Sequence, residues 1–246
     1  MNKKSLFGSG FGGGAKAVQS FPPVIRDKMR TAVPMALYMI FYCVTFLLIE
    51  NWNRLHYMVI HTTVDDRIPF CEWFVIPYLL WFGYVCSFTL YVLMRDEKCY
   101  HEVCTFLAIG MTVFLVVSIF FPNILYLRPE TMPRDNVLTY LCSRLYAVDT
   151  PTNVTPSIHV YNSFAIMIGA WHTDAGILRK LWVKTAVTAQ GILIILATMF
   201  IKQYSFSDVV IATGLSLVSY ILVYRLGFVA VNRRKRQRIG RSVFEH

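Results

Sequence analysis

Residues 103–121 read VCTFLAIGMTVFLVVSIFF, nineteen positions without a charge. A run of that length and polarity matches the ~20 residues of helix needed to cross the hydrocarbon of a bilayer. Five further apolar segments flank it, at Thr31–Ile49, Phe74–Met94, Ser157–Trp171, Trp182–Ile201 and Val209–Ala230. Composition points the same way, with 56% of the 246 residues apolar, 15% charged and a mean hydropathy of +0.49. Inside lipid every backbone polar group has to be paired within its own segment, and no alternating barrel-strand pattern is visible. The sequence predicts an all-α fold, a bundle of six transmembrane helices.

Around that bundle, residues 1–30 read as a flexible basic tail, with glycines from Gly8 to Gly14 and Phe21-Pro22-Pro23. Residues 31–230 form the membrane domain, and residues 231–246 a second basic tail. No apolar core with a cleavage site precedes Thr31, so the first helix is expected to remain as an anchor. The six cysteines, Cys43, Cys71, Cys86, Cys99, Cys104 and Cys142, show no metal-ligand spacing and read as small apolar fillers. A Cys71–Cys142 disulfide is conceivable, since both fall in or beside connections on the same side.

Basic residues give the orientation. Six Lys and Arg precede Thr31; Arg95 and Lys98, then Arg179, Lys180 and Lys184, lie in alternate connections, and seven run from Arg225 to Arg241. The opposite side holds Arg54, Arg67, Arg128, Arg134, Arg144 and Lys202. The positive-inside rule then places both termini in the cytoplasm. The formal net charge of +10 invites a nucleic-acid reading. Yet Arg233, Arg234, Lys235, Arg236 and Arg238 directly follow an apolar helix, as a flank touching anionic lipid head groups does, and no base-reading motif accompanies them. Membrane lipids are the expected surroundings, and no nucleic-acid partner is expected.

Three separated stretches then share the outer side: Leu127-Arg128-Pro129-Glu130, Thr155-Pro156-Ser157-Ile158-His159, and Lys202-Gln203-Tyr204-Ser205-Phe206-Ser207-Asp208. Arg128 and Lys202 supply positive charge suited to phosphate oxygens. Ser157 opens a helix, where free N–H groups favour an anion, and His159 can donate a proton near neutral pH. Each has an ordinary explanation taken singly: interfacial anchors for the two cations, a helix cap for Ser157, a packed polar residue for His159. Jointly, on one face, they describe an anion site. Asn153-Val154-Thr155 is formally a glycosylation acceptor, but it abuts this site and nothing else indicates a eukaryotic secretory protein, so that reading is rejected.

These residues also carry a resemblance. Arg128-Pro129 is similar to the end of the first motif of the type 2 phosphatidic acid phosphatase superfamily, Lys-x6-Arg-Pro. Pro156-Ser157-Ile158-His159 resembles the second, Pro-Ser-Gly-His, and Tyr204-x3-Asp208 the His-x3-Asp of the third. The run Asp149–His159, with Lys202-Gln203, looks like a bacterial branch related to inositol phosphorylceramide synthases. The likeness extends loosely from Ile68 to Gly214. It implies a metal-independent lipid phosphatase with no cofactor, in the bacterial cytoplasmic membrane with its site facing outward. Phosphatidic acid or a polyprenyl diphosphate would be the substrate. In such enzymes the third-motif histidine attacks phosphorus, its aspartate orients it, and the second-motif histidine protonates the leaving alcohol. Carried over, Asp208 is the orienter, His159 the general acid, and Arg128, Ser157 and Lys202 the phosphate cradle.

The chain departs from the pattern where the motif-one lysine becomes Phe121, and where the third-motif Ser-Arg become Ala197 and Thr198. Tyr204 is the sharpest departure, because it takes the nucleophile's place. A phenol with an ordinary pKa near ~10 is a weaker nucleophile than imidazole at neutral pH. Three readings of it stand: an introduced substitution that disarms an enzyme, a natural one that leaves a lipid-phosphate binder, or a tyrosine nucleophile. A rescue by His56 or His61 is a weaker idea, since loop histidines beside Asp65 and Asp66 are usually solvated. The expectation is a phosphoric ester hydrolase with impaired turnover. A head-group phosphotransferase of the phosphorylceramide-synthase type, or a non-catalytic phospholipid binder, are the alternatives.

Overall fold

The computed structural model describes residues 23–52 and 56–227. The glycine stretch and the basic carboxyl tail lie outside the described residues. The fold is mostly helical, and five helices are long and apolar enough to cross a membrane. Helix α1 spans Pro23–Glu50 and so begins before the expected Thr31, with a proline at the first helical position, where no N–H is missed. A short 3-10 turn, Glu72–Phe74, leads into α2, Val75–Arg95, and α3 spans Glu97–Phe120. Helix α4 is Val137–Val148, α5 Ile158–Trp171, α6 Leu181–Phe200, and α7 Phe206–Tyr220, which runs on through a π turn to Arg225.

Two features depart from a purely helical expectation. Strands β1, Met58–Ile60, and β2, Asn123–Leu125, form a small parallel pair, with Met58 opposite Asn123 and Ile60 opposite Leu125. Helix α4 folds inside a stretch expected to be loop. Its amino end is closed by Asn136, whose side chain accepts from the Leu138 and Thr139 amides at 2.9 Å each, while the Thr139 hydroxyl returns to the Asn136 amide.

Helix α5 is the centre of the bundle. It packs against α2, α3, α6 and α7, and nine of its 14 residues are buried. Tyr161 lies across α3, where Gly110 has no Cβ to collide with the ring. Its hydroxyl donates to the Phe106 carbonyl (2.8 Å) and meets the Ser219 hydroxyl of α7 (2.7 Å). Fourteen residues of helix extend only about 21 Å, short of the ~30 Å hydrocarbon thickness, because each residue rises 1.5 Å. Helix α1, by contrast, touches the rest mainly along α3, through Tyr42, Phe46 and Phe114, and most of its face is exposed.

Candidate active site

At one end of the bundle two long connections and the short turn 201–205 are tied to one another. β1 and β2 join the first to the second. The Cys71 amide donates to the Phe200 carbonyl at 3.0 Å. Arg134 donates to both oxygens of buried Glu72 at 2.8 Å, and the Asn136 amide group adds a third bond at 3.2 Å. Asp65 is 1% exposed. It accepts from the Thr62 amide and hydroxyl (2.8 Å each), the Ser205 hydroxyl (2.6 Å) and the Phe206 amide (2.7 Å). Burial raises the carboxyl's pKa, but these donors outweigh it and hold the group below its ordinary value. Asp65 is thus a buried clamp, a residue assigned no role of its own from the sequence. His61, which pairs with exposed Asp66 at 2.8 Å, stays at the surface. Cys71 and Cys142 are both free thiols.

The same tying positions the second motif. The Asn123 side-chain oxygen accepts from the Val154 and Thr155 amides (2.7 and 3.1 Å), fixing the chain that leads to Ser157. Ser157 caps α5 by accepting from the Val160 amide at 3.4 Å. In the first turn of α5, His159 Nδ1 lies 2.9 Å from the Tyr204 hydroxyl. Its ring is held between Tyr78, stacked at 4.5 Å between centroids, and Trp81 at 4.1 Å. Tyr78 in turn donates to Asp149 at 2.8 Å.

The third motif is ordered by Asp208, which is fully buried. Its carboxylate accepts from the Thr155 hydroxyl and, at 2.9 Å, from the Ser205 amide, so it closes a capping box at the start of α7 and links motif three to motif two. Among the described residues no hydrogen bond joins Asp208 to the Tyr204 hydroxyl. The carboxylate steadies the turn that carries residue 204. Burial, then the nearby Asp149 and Asp208 carboxylates, push the Tyr204 phenol well above its ordinary pKa. It is a neutral phenol at physiological pH.

The two expected cations differ. Arg128 reaches the site: it donates to the Tyr146 carbonyl (3.2 Å), the Asp149 carbonyl (2.6 Å) and the Gln203 side-chain oxygen, beneath the Tyr146 ring at 4.7 Å. Burial lowers its pKa, and Asp149 pulls the other way. Its Nε is buried without a partner. Lys202 is committed elsewhere, donating to the carbonyls of Asp65 (2.7 Å) and Ile68 (2.5 Å). The site therefore gathers His159, Tyr204, Ser157 and Asp208, with Arg128 behind Gln203 and Lys202 turned to the first connection.

A cleft of about 330 Å³ opens beside His159 and Tyr204. Phe46 and Leu47 of α1, Trp81 and Phe114 line its apolar part; Glu50, Asp149, Thr150, Thr152, Asn153 and Gln203 line its polar part. Sequence reasoning passed over Tyr78 and Trp81 because they sit within an apolar span, and Glu50 because it ends one. No family model, curated protein or solved structure matches the chain.

Proposed function

We propose that the chain is a six-span membrane protein with a lipid-phosphatase site of the type 2 phosphatidic acid phosphatase kind. The observation that carries the reading is the His159–Tyr204 contact of 2.9 Å, which joins residues from two motifs 45 positions apart at the side of a cleft that is apolar along one part and polar along another. An amphipathic lipid phosphate suits such a cleft. Helix α5 counts as the sixth span, since its neighbours enclose it and its ends need not reach the bilayer surface. Six crossings bring both termini to one side, and the basic residues make that side the cytoplasm. The site then faces outward, and the chain belongs to a bacterial cytoplasmic membrane.

In this mechanism a histidine at position 204 would attack phosphorus, and His159 would give its proton to the departing alcohol. Water would then release phosphate from the phosphohistidine. Metal ions and cofactors have no part in the scheme. Arg128, bonded to Gln203 behind the cleft wall, and the Ser157 end of α5 would contribute positive potential toward the phosphoryl group rather than direct contacts. Tyr204 interrupts the scheme at the nucleophile. The neutral, buried phenol makes the chain a weak catalyst or a holder of lipid phosphates, and this second reading rests on Tyr204 alone. Phosphate release from a panel of lipid phosphates decides between them. The chain as it stands should be at background and Tyr204→His at least about 100-fold above it. Silence from both would sink the phosphatase reading and leave head-group transfer or binding.

A further inference from the structure

Two residues at the site have no part in the phosphoryl step, yet the imidazole of His159 rests on one of them and, through it, on the other. Tyr78 comes from the first turn of α2 and is 4% exposed. Its ring lies 4.5 Å from the His159 ring with only 20° between their planes, whereas the Trp81 indole meets the same imidazole at 39°. The Tyr78 hydroxyl donates to the Asp149 carboxylate at 2.8 Å, across 71 positions of sequence. Asp149 is itself anchored by its backbone. Its amide donates to the Leu145 carbonyl at the end of α4 (2.8 Å), and its carbonyl accepts from Arg128 (2.6 Å).

A histidine side chain has a broad torsional well at its ring, so an imidazole needs neighbours to hold its plane. The Nδ1 contact with Tyr204 fixes one atom of the ring and leaves the ring free to tilt about that contact. A nearly parallel aromatic neighbour opposes the tilt, because stacked rings lose contact when one of them turns. Tyr78 can do so only while its own ring is fixed, and the phenol torsion is as broad as the imidazole's. The bond to Asp149, strengthened by the acceptor's charge, supplies the fixed point. Tyr78 is not among the residues that line the cleft, so its effect on a ligand there has to pass through His159.

We propose that Tyr78 and Asp149 are positioning residues of this site, Tyr78 setting the plane of the His159 ring and Asp149 anchoring Tyr78. The inference rests on reading His159 as the group that gives its proton to the departing alcohol, and it adds the two residues that aim that proton. An acid has to point its N–H along the line to the leaving oxygen, and a misplacement of about 1 Å costs on the order of 100-fold in rate. The aim would thus be set by a neighbouring helix and by the residue that follows α4, and only in part by the helix that carries the imidazole.

Magnetic resonance of the full-length protein in detergent micelles, with isotope in the rings of its six histidines, reads the imidazole directly. His159→Gln identifies the signal of residue 159, which the stacked Tyr78 ring should hold upfield. Tyr78→Phe keeps the ring and drops the hydroxyl; Asp149→Ala removes the acceptor. Both should move the His159 signal toward that of a free imidazole and broaden it, while Asp149→Asn, which can still accept, should leave it in place. The His172 ring, 4.3 Å from Tyr224 at the other end of α5, is the internal control and should not move. An unmoved His159 signal in folded Tyr78→Phe and Asp149→Ala proteins overturns the proposal. The kinetic consequence is read in the Tyr204→His protein, where Tyr78→Phe should lower kcat about tenfold and leave KM within about twofold. A raised KM with kcat unchanged would make the pair a ligand-binding element and overturn the positioning role. Silence from Tyr204→His would sink the phosphatase reading but not the resonance result, so the two fail separately.

Discussion

The two ends of the bundle are built on different principles. At the end without the site, α2 and α3 are joined through Asp96 alone, whose carboxylate accepts from the Cys99 amide at 3.0 Å and the Thr173 hydroxyl at 2.6 Å. The next connection there is held by Lys184 donating to Asp174, an acid that is 79% exposed. At the site end two of the three connections are long, and polar groups of all three are taken inside. Asp65, Glu72, Asn123 and Asp208 are all at most 2% exposed, and each bonds a segment distant in sequence. Short turns serve to close a bundle. Buried carboxylates that cross-link three loops hold backbone in a shape that no single loop would keep, and that expense of desolvation is characteristic of a binding site.

The contrast can be broken most directly at Asp65. Asp65→Ala strands the Ser205 hydroxyl, the Phe206 amide and the Thr62 amide, and should cost about 3 kcal/mol, read as a large fall in Tm in detergent. A milder probe is acid. Because the folded-state pKa of Asp65 lies below its ordinary value, its contribution is complete above about pH 4. It is lost as pH falls further toward the folded-state value. Asp65→Asn should therefore lose stability at neutral pH and show a shallower decline below pH ~4 than the parent chain.

At the opposite end the effects should be smaller. Asp96→Ala removes a helix cap and should cost about 1 kcal/mol. Lys184→Met, which keeps the stem beside Trp171 but drops an ion pair with an exposed acid, should stay within about 0.5 kcal/mol. If Asp96→Ala proved as damaging as Asp65→Ala, the distinction between a closing turn and a clamped site would fall.

How much of this was legible in the sequence follows the same division. The long spans were, since a run such as 103–121 has no other stable home, and α5 announced its start through Pro156-Ser157. That the stretches around His159 and Tyr204 would share one end of the bundle was expected from the alternation of basic residues, whereas the contact between the two side chains was not read from the sequence. Asp65 was not legible. It sits beside charged Asp66 and Arg67, and its partner Ser205 is 140 positions away, so nothing local distinguishes a buried carboxylate from a solvated one. Helix α4 escaped because twelve residues are too few to cross a bilayer, and a reading tuned to spans passes over a short amphipathic helix inside a loop. Lys202 was assigned by charge alone, and charge does not say which way a side chain will turn.

Asn123 belongs to β2, and its side chain grips Val154 and Thr155 while its backbone pairs with Met58 of β1. One residue thus bolts the first connection to the segment that carries Ser157 and His159. A displacement of β1 would therefore reach the cap of α5 through one side chain and the segment 154–156, before any of the five long helices had moved.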